Sequence, residues 1–544
     1  MNQQKTTNNK TLLAALLMSA NLIGALTPIA VLATPTGYAH LGQTALTQAL
    51  DTLDSMVFSR ASAQNYGNED VDTLANGDVQ TITSSGSATT MTGGAQFING
   101  GTGTVNTMNA GEQIIDGSSG TIVTMNAGLQ TIKASGTGTV INMGFGEQSI
   151  DGGTGTIVTM NTGSQIIWNG GSGTIDTMNS GLQGIEAGSI GTVTNLNGGW
   201  QLVHDGGTSK DTVLNAGGTV HLQNGGIIQN ITYNGGTLIL DGVTSGYDNI
   251  QLGQDAGESN VILNVNYGAI VNNLTINSSG KAILTGADGY TPSQMLGNTI
   301  NRGLLDMSMA DNGAFVENLS GLGGTVQVGL FYHEDIPVEY HNINITSLSG
   351  SQTFVINADL ANNTADKIVI GNSATGEHYI KLDREATAGS ELAGITGHSA
   401  TVVENAAGAS FSGVQSSIDG INVLPTIEHD GSGNWNLVGY TVTGASNLAM
   451  TAAGAANNAY AALLAADNNI QRRMGELRND QDSAGVWVRT FGGEYDVQGS
   501  TLKHTTIQGG YDKITKVSNG LSVTGLTLEH LSGSSSYAHG DGKL

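Results

Sequence analysis

The sequence predicts an all-β protein, in which a parallel β-helix (solenoid) is followed by one long helix and by the first strands of an antiparallel sheet. The first observation is composition: of 544 residues, 81 are glycine and only 5 are proline, and charged residues make up 11%. Regular Val, Ile and Thr between Gly-rich stretches indicate short strands joined by tight turns. The other two observations are a repeat of 17 or 18 residues and, after it, an apolar stripe with helical period.

The repeat aligns its residues in columns, and the columns predict the β-helix. A unit this short cannot bury its own apolar face, but coils stacked about 4.8 Å apart bury it against their neighbours. One apolar column contains Ile115, Ile132, Ile150, Ile167, Ile185 and Val203. A second contains Met91, Met108, Met125, Met143, Met160, Met178, Leu196 and Leu214.

A glutamine column runs beside the isoleucine column. Its members are Gln96, Gln113, Gln130, Gln148, Gln165, Gln183 and Gln201. Gln113 and Ile115 lie two residues apart, so they share one face of a strand. We therefore expect the glutamines to form an amide ladder, either at a corner of the coil or inside it.

The N-terminal residues 1–33 predict a secretory signal peptide. Lys5 and Lys10 precede an apolar run from Leu12 to Ala33, and small residues precede a predicted cut after Ala33. A single membrane anchor is the alternative, because about 20 apolar residues can span a bilayer. Residues 34–75 form an N-terminal segment before the repeats.

Charge and cysteine content restrict the partners and the compartment. The chain has no cysteine, which favours an oxidising, extracytoplasmic location. Its 18 basic and 44 acidic residues give a net charge of −26, and this disfavours nucleic acid as a partner. Between residues 63 and 280 the only basic residues other than histidine are Lys133 and Lys210.

The repeat region, residues 76–245, carries a recurring motif that Asn109-Ala-Gly-Glu-Gln-Ile-Ile115 represents. This motif resembles the passenger repeats of the diffuse-adherence adhesins and of the self-associating, antigen 43-like autotransporters of type V secretion. The resemblance implies a right-handed parallel β-helix that serves as the exported passenger. Residues 246–340 keep the same texture, and we expect an irregular continuation of the β-helix there.

Further downstream, the segments Phe354–Ile370, Ala374–Leu382 and Asn434–Tyr440 resemble the pertactin-type end of autotransporter passengers. In that family this region caps the β-helix and assists its folding at the cell surface. The resemblance therefore implies a cap, or autochaperone, over residues 341–445.

Residues 446–484 predict a helical linker. An apolar stripe advances by three or four residues along it, and Ser446 is a candidate N-cap. The stripe contains Leu448, Ala452, Ala455, Ala459, Leu463, Ala466, Ile470, Met474 and Leu477. At a rise of 1.5 Å per residue, such a helix would be about 50 Å long, enough to cross a membrane barrel. An amphipathic surface helix is the alternative.

The segments Asp467–Arg478 and Gly485–Gly493 closely resemble the linker and the first barrel strand of autotransporters. The resemblance implies that residues 485–544 begin an antiparallel outer-membrane β-barrel, which we expect to be incomplete here, as a fragment or a disrupted gene. In the serine-protease branch the passenger is released between two Asn residues, and Asn468 and Asn469 match that position. An Asn side-chain amide attacking its own carbonyl carbon would break this bond. Passengers that stay attached or are cut elsewhere are the alternative.

Motifs of catalysis are not found in the sequence. It contains no G-x-S-x-G, Gly-Asp-Ser-Gly or H-E-x-x-H motif, and its 11 histidines are scattered singly. We therefore predict no enzyme activity, no cofactor and no metal. The expected function is that of a surface adhesin or self-association protein, which presents Asn, Thr and Gln side chains to a host surface or to another copy.

Two alternatives remain open, namely a polysaccharide-acting enzyme of the β-solenoid type and a non-functional remnant. The expected location is the periplasm during export, and then the outer membrane and cell surface of a Gram-negative bacterium. The expected assembly partners are the outer membrane and the barrel-assembly machinery.

Overall fold

The computed structural model describes residues 63–242, 247–254, 261–286, 291–310, 314–329, 340–386, 392–477, 484–497, 499–537 and 540–543. The predicted signal peptide, including Ala33, lies outside these residues. Within the described part of the chain, no helix is long and apolar enough to cross a membrane. The described residues divide into two compact units, one within Met1–Phe354 and Ile368–His378, the other within Val355–Lys367 and Tyr379–Leu544.

The first unit is built from parallel coils, as the repeat predicts. Its first 21 strands are β1 (Asn65–Tyr66), β2 (Asp70–Leu74), β3 (Val79–Ile82), β4 (Ser85–Ile98), β5 (Thr102–Ile115), β6 (Ser119–Met125), β7 (Leu129–Ile132), β8 (Thr137–Met143), β9 (Glu147–Asp151), β10 (Thr154–Met160), β11 (Ser164–Trp168), β12 (Ser172–Met178), β13 (Leu182–Ile185), β14 (Ile190–Val193), β15 (Gly199–Val203), β16 (Thr208–Lys210), β17 (Val213–Leu214), β18 (Gly218–Leu222), β19 (Ile227–Gln229), β20 (Thr232–Tyr233) and β21 (Gly236–Asp241). Equivalent residues of successive coils lie opposite each other, for example Met108 opposite Met125 and Gln113 opposite Gln130. The first described strand, at Asn65, lies within the predicted N-terminal segment.

The parallel arrangement continues through less regular strands. They are β22 (Tyr247–Asp248), β23 (Gln251–Leu252), β24 (Val261–Asn266), β25 (Ile270–Asn272), β26 (Thr275–Ile276), β27 (Gly280–Thr285), β28 (Gln294–Asn301), β29 (Leu304–Met309), β30 (Phe315–Ser320), β31 (Leu322–Gln327) and β32 (Asn342–Leu348). Strands β33 (Ser351–Asp359), β34 (Thr364–Ala365), β35 (Lys367–Ala374) and β36 (Gly376–Glu385) follow, with a 3₁₀ turn at Leu360–Asn362. Both predicted apolar columns are fully buried, so they form the core of this unit.

The second unit changes to antiparallel pairing. A second 3₁₀ turn lies at Leu392–Gly394, and the strands before the helix are β37 (Ala400–Glu404), β38 (Ala409–Gly413), β39 (Ser416–Ile418), β40 (Ile421–His429) and β41 (Trp435–Ala445). Strand β41 pairs with both β37 and β40 in antiparallel register. Helix α1 spans Asn447–Leu477. The Ser446 hydroxyl accepts a hydrogen bond from the Ala449 N–H at 3.1 Å, so the predicted N-cap is confirmed.

The last strands are β42 (Ala484–Val497), β43 (Ser500–Val517), β44 (Gly520–Tyr537) and β45 (Gly540–Lys543), and they form one antiparallel sheet. The antiparallel sheet predicted near the C-terminus is therefore confirmed. One face presents exposed apolar side chains, including Val486, Val488, Leu526 and Leu528. The other face carries a chain of polar contacts: Arg489 donates to Gln508 at 2.6 Å, and Gln508 donates to Glu529 at 2.7 Å.

The apolar stripe predicted on helix α1 is not the face that packs against this sheet. Leu448 and Leu463 are 78% and 69% exposed. Among the helix side chains that the structure describes, up to position 464, the buried ones are at Gly454, Asn458 and Ala461. A Cβ at position 454 would lie 2.7 Å from the Cβ of Tyr537, so only glycine lets the helix come this close to β44.

Candidate interaction surface of the β-helix

The glutamine column forms a continuous ladder inside the first unit. Its eight members are Gln80, Gln96, Gln113, Gln130, Gln148, Gln165, Gln183 and Gln201, all with 0% exposure. Each Nε2 from Gln96 onwards donates to the Oε1 of the glutamine one coil before it, at 2.6–2.7 Å. The predicted amide ladder is thus confirmed, and it lies inside the coil. Our expectation that these glutamines reach a partner was wrong, because the coil closes around them.

A glycine column makes room for this ladder. It contains Gly103, Gly120, Gly138, Gly155, Gly173 and Gly191. A Cβ at Gly155 would lie 2.4 Å from the Ile150 Cδ1 and 2.6 Å from the Gln148 Oε1. The glutamine and isoleucine side chains therefore exclude any larger residue from this column.

The ladder ends at Gln201, where three columns change together. Val220 lies opposite Gln201 in the next coil, so no further amide follows. Ser209 takes the glycine position, and its hydroxyl donates to the Gln201 Oε1 at 2.7 Å. Val203 replaces the isoleucine and lacks the Cδ1 atom that would meet the serine Cβ. Thr212 also donates to the Gln201 Oε1 at 3.3 Å, so the last acceptor is satisfied.

Asparagine, in contrast, forms an exposed column at a corner of the coils. Side-chain hydrogen bonds join Asn109 to Asn126 at 2.8 Å. A longer run links Asn161, Asn179, Asn197, Asn215 and Asn234 at 2.9–3.3 Å. Gly144 occupies the corner position between the two runs. The structure therefore leaves asparagine, rather than glutamine, at the surface of the repeats.

Threonine lines a neighbouring face of the repeats. One column of half-exposed side chains contains Thr104, Thr121, Thr139, Thr156, Thr174 and Thr192. These residues lie opposite one another in register, so their hydroxyls form a regular row along the coils. The side chains of this row and of the asparagine corner are polar and carry no charge.

A different kind of surface occurs on the outward side of strands β15, β18, β21 and β24. Trp200 is 47% exposed, and its ring meets the His221 ring edge-on at a centroid distance of 6.3 Å. The His221 Nε2 lies 2.6 Å from the Asp241 Oδ2, and the Asn266 amide donates to the Asp241 Oδ1 at 3.0 Å. Sequence analysis missed this cluster because its members come from four coils and share no repeat motif.

The Asp241 carboxyl is held in its charged form. Burial raises its pKa, but hydrogen bonds from His221 and Asn266 and the nearby His221 charge outweigh burial, so the pKa lies below its usual value. Because an ionised carboxylate only accepts hydrogen bonds, the His221 Nε2 must be the donor.

In the second unit, polar contacts stabilise the irregular segments. The Glu385 carboxylate is buried and accepts from the Leu360 N–H at 3.1 Å and from the Tyr440 hydroxyl. Lys367 and Glu404 form an ion pair at 2.7 Å. These groups are engaged with one another and present no open site.

The predicted release site lies in helix α1. Asn468 and Asn469 belong to the helical range Asn447–Leu477, but their side chains lie outside the described part of the structure. Cleavage between them stays a prediction. Among the described residues, no group of three or more His, Cys, Asp or Glu side chains could hold a metal ion.

Comparison with known proteins places these features in a family. The family model described as Pertactin matches residues 316–439. "Probable autotransporter YcgV" of Escherichia coli K12 is 23% identical over 358 residues, which are 56% of this chain and 36% of that protein. The BrkA autotransporter of Bordetella pertussis is 26% identical over 214 residues, covering 39% of this chain and 20% of that protein.

Other relatives are named as proteases. The serine protease EspP of Escherichia coli O157:H7 is 32% identical over 116 residues, covering 21% of this chain and 9% of that protein. A solved structure, the hyper-glycosylated TibA55-350 fragment, covers 64% of this chain and 99% of its own at 17% identity, with a TM-score of 0.19. The chain spans about a third or less of the length of the curated relatives described here.

Autotransporters are secreted across the Gram-negative outer membrane and are displayed at the cell surface or released. The parallel coils, the pertactin match and the relatives all agree with the passenger architecture that the repeats predict. The chain therefore carries a pertactin domain at residues 316–439, and its relatives support its assignment as an autotransporter.

Proposed function

We propose that the β-helix acts as a cell-surface adhesin or self-association module that binds a host surface or a second copy of the chain. The observation that carries this proposal is the exposed asparagine column, Asn161 to Asn234. Each of the three inner amides, Asn179, Asn197 and Asn215, uses one N–H and one lone pair on its neighbours and keeps a second N–H and a second lone pair for a partner.

Geometry and charge both support this proposal. The coils repeat in register, so donors and acceptors recur about every 4.8 Å along a straight edge. A second β-helix carries the same spacing and can pair with this edge in a matching register. Lys133 and Lys210 are the only Lys or Arg residues between residues 63 and 280, so an anionic partner would find little attraction there.

A non-enzymatic role belongs to the same proposal. Some relatives are named as serine proteases, but the match to EspP covers only 9% of that protein. The carboxylates of Asp241, Glu385 and Glu404 pair with structural partners on the β-helix or in the pertactin region. We further propose that passage to the surface uses the C-terminal sheet region and the barrel-assembly machinery, and that release, if it occurs, takes place between Asn468 and Asn469.

The test uses latex beads coated with the full chain through a C-terminal tag. Beads carrying the parent chain should clump with one another if the partner is a second copy, and should adhere to epithelial cells if the partner is a host surface. The triple variant N179A/N197A/N215A should lose most of this activity, because it removes the centre of the asparagine run. The matched control, T139A/T156A/T174A, changes the neighbouring face and should retain at least half of it.

A second variant removes the repeats as a block. Deletion of residues 94–217 keeps the coil register, since Gly218 occupies the coil position of Gly94. Unchanged clumping and unchanged adhesion in this variant would refute the proposed function.

A further inference from the structure

One outward-facing cluster of the β-helix remains unexplained by the asparagine column. Trp200, His221, Asp241 and Asn266 lie on strands β15, β18, β21 and β24, all on the side of the strand that faces solvent. Trp200 lies opposite Thr219, and His221 is two residues further along its strand. The cluster therefore runs diagonally across the coils. We refer to these four residues as the Trp200 strip.

The strip begins with an aromatic platform. Nearly half of the Trp200 side-chain surface is open to solvent, although a tryptophan in a packed protein usually buries most of its area. His221 meets it edge-on, at 6.3 Å between the ring centroids, and this contact restricts the orientation of the indole. A flat, oriented and exposed ring suits stacking against the apolar face of a sugar.

The strip ends with a fixed set of hydrogen-bonding groups. The Asp241 carboxylate accepts one bond on each oxygen, from His221 at 2.6 Å and from Asn266 at 3.0 Å. Each carboxylate oxygen can accept about two hydrogen bonds, so both retain capacity for a ligand hydroxyl. The Asn266 amide keeps a second N–H and its carbonyl oxygen. These are the groups that hold vicinal hydroxyls, which both donate and accept.

Charge selects among the possible ligands. The strip carries the Asp241 carboxylate, and its chain segment contains no basic residue other than His221 between Lys210 and Lys281. A sulfated or carboxylated chain would be repelled by Asp241, and the His221 imidazole beside it is already bonded to that carboxylate. A neutral saccharide is not repelled by the Asp241 carboxylate and needs no cation to balance it.

The size of the strip also fits an oligosaccharide. From Trp200 to Asp241 the diagonal crosses two strand intervals and four residue steps, which corresponds to about 16 Å. Such a length accommodates more than one sugar ring on an open, shallow surface.

We propose that the Trp200 strip binds a neutral oligosaccharide, with one sugar ring stacked on Trp200 and hydroxyls of a neighbouring ring bonded to Asp241 and Asn266. This inference rests on the proposed adhesin function, since it names the ligand class on the host-surface side. His221 is a positioning residue, because it orients both the indole and the carboxylate.

The experiment measures binding of the purified full chain to an immobilised panel of neutral oligosaccharides based on glucose, galactose, mannose and fucose, with heparin as the anionic probe. The parent protein should bind at least one neutral oligosaccharide of the panel, and its binding to heparin should be at least tenfold weaker. W200A should weaken neutral binding at least tenfold. W200F, which keeps a ring, should lose less.

The matched control is W168A. Trp168 is 41% exposed on an earlier coil and is not part of the strip, so its removal should change binding less than twofold. D241N keeps the size of the side chain but replaces one acceptor oxygen with a donor, and should also weaken binding. Circular dichroism of each variant reports whether the fold is retained, and W200F and D241N provide the test if W200A does not fold.

Binding of no neutral chain at millimolar concentration, equal losses in W200A and W168A, or a preference for heparin would each overturn the inference. The bead assay separates this failure from failure of the proposed function. If beads still adhere through the asparagine column while the panel shows no binding, only the saccharide assignment is wrong.

Discussion

Replacing Gln148 with methionine in the middle of the buried ladder is expected to destabilise the β-helix and to show that the glutamines act as a unit. Methionine has nearly the same length and is unbranched, so it fits the space without overpacking. In Q148M the Gln130 Oε1 loses its donor and the Gln165 Nε2 loses its acceptor, both at 2.6 Å in the parent. The Gln165 amide keeps a long bond of 3.4 Å to the Thr174 carbonyl.

The magnitude follows from these two lost partners. An unsatisfied buried polar group costs about 1–3 kcal/mol, and the donor is partly compensated by its backbone contact. We therefore expect Q148M to lower the free energy of unfolding by about 2–4 kcal/mol. Q165M disrupts the next rung in the same way and should cost a similar amount.

The double variant Q148M/Q165M gives the sharper result. Removing two adjacent rungs leaves only the Gln130 Oε1 and the Gln183 Nε2 without their ladder partners, because the bond between the two altered residues is no longer required. The double variant should therefore cost about as much as one single variant. Relative to additivity, the coupling should amount to about 2–4 kcal/mol.

Urea unfolding of the four proteins, followed by far-ultraviolet circular dichroism, measures this cycle. Q229M is the control for the chemistry of the substitution, since Gln229 is exposed and should change stability by no more than about 0.5 kcal/mol. If the cost of the double variant equals the sum of the two single-variant costs to within about 0.5 kcal/mol, the ladder does not act as a cooperative unit.

Three further predictions concern neighbouring positions. S209A removes the 2.7 Å donor to Gln201 and should lower the free energy of unfolding by about 1 kcal/mol in urea, while S209T, which keeps the hydroxyl, should restore part of it. G155A places a methyl group 2.4 Å from the Ile150 Cδ1 and should cost about 1–3 kcal/mol by the same measurement; a neutral effect would contradict the packing argument. Burial raises the pKa of Glu147 above its usual value of 4.5, although a hydrogen bond from Ser164 opposes this shift. The free energy of unfolding therefore falls as the pH rises from 4.5 through the raised pKa. E147Q should therefore melt at a higher temperature than the parent at pH 7, and this gap should close below pH 4.5; a gap that persists in acid would exclude ionisation as its cause.

The sequence by itself determined the architecture of the repeats. Columns of Met, Ile, Gln and Gly at intervals of 17 or 18 residues can be satisfied together only if each coil stacks in register on the one before. The long helix after Ser446 and the antiparallel strands after residue 484 were equally predictable, because helix and strand periods differ. The end of the ladder could also have been found from the sequence, since Ser209, Val203 and Val220 all depart from their columns.

Only the tertiary structure decided which polar column faces the interior. Gln and Asn have the same side-chain amide, and both recur with the period of the coil. Strand alternation places Gln113 beside Ile115 on the inward face, whereas Asn126 lies in the bend between β6 and β7, and the direction of that bend follows from how the whole coil closes. Tertiary packing also determines which face of helix α1 contacts the sheet, because the close approach at Gly454 is a contact between distant segments of the chain. Long-range contacts, which no local pattern encodes, also bring Trp200, His221 and Asp241 together from three different coils.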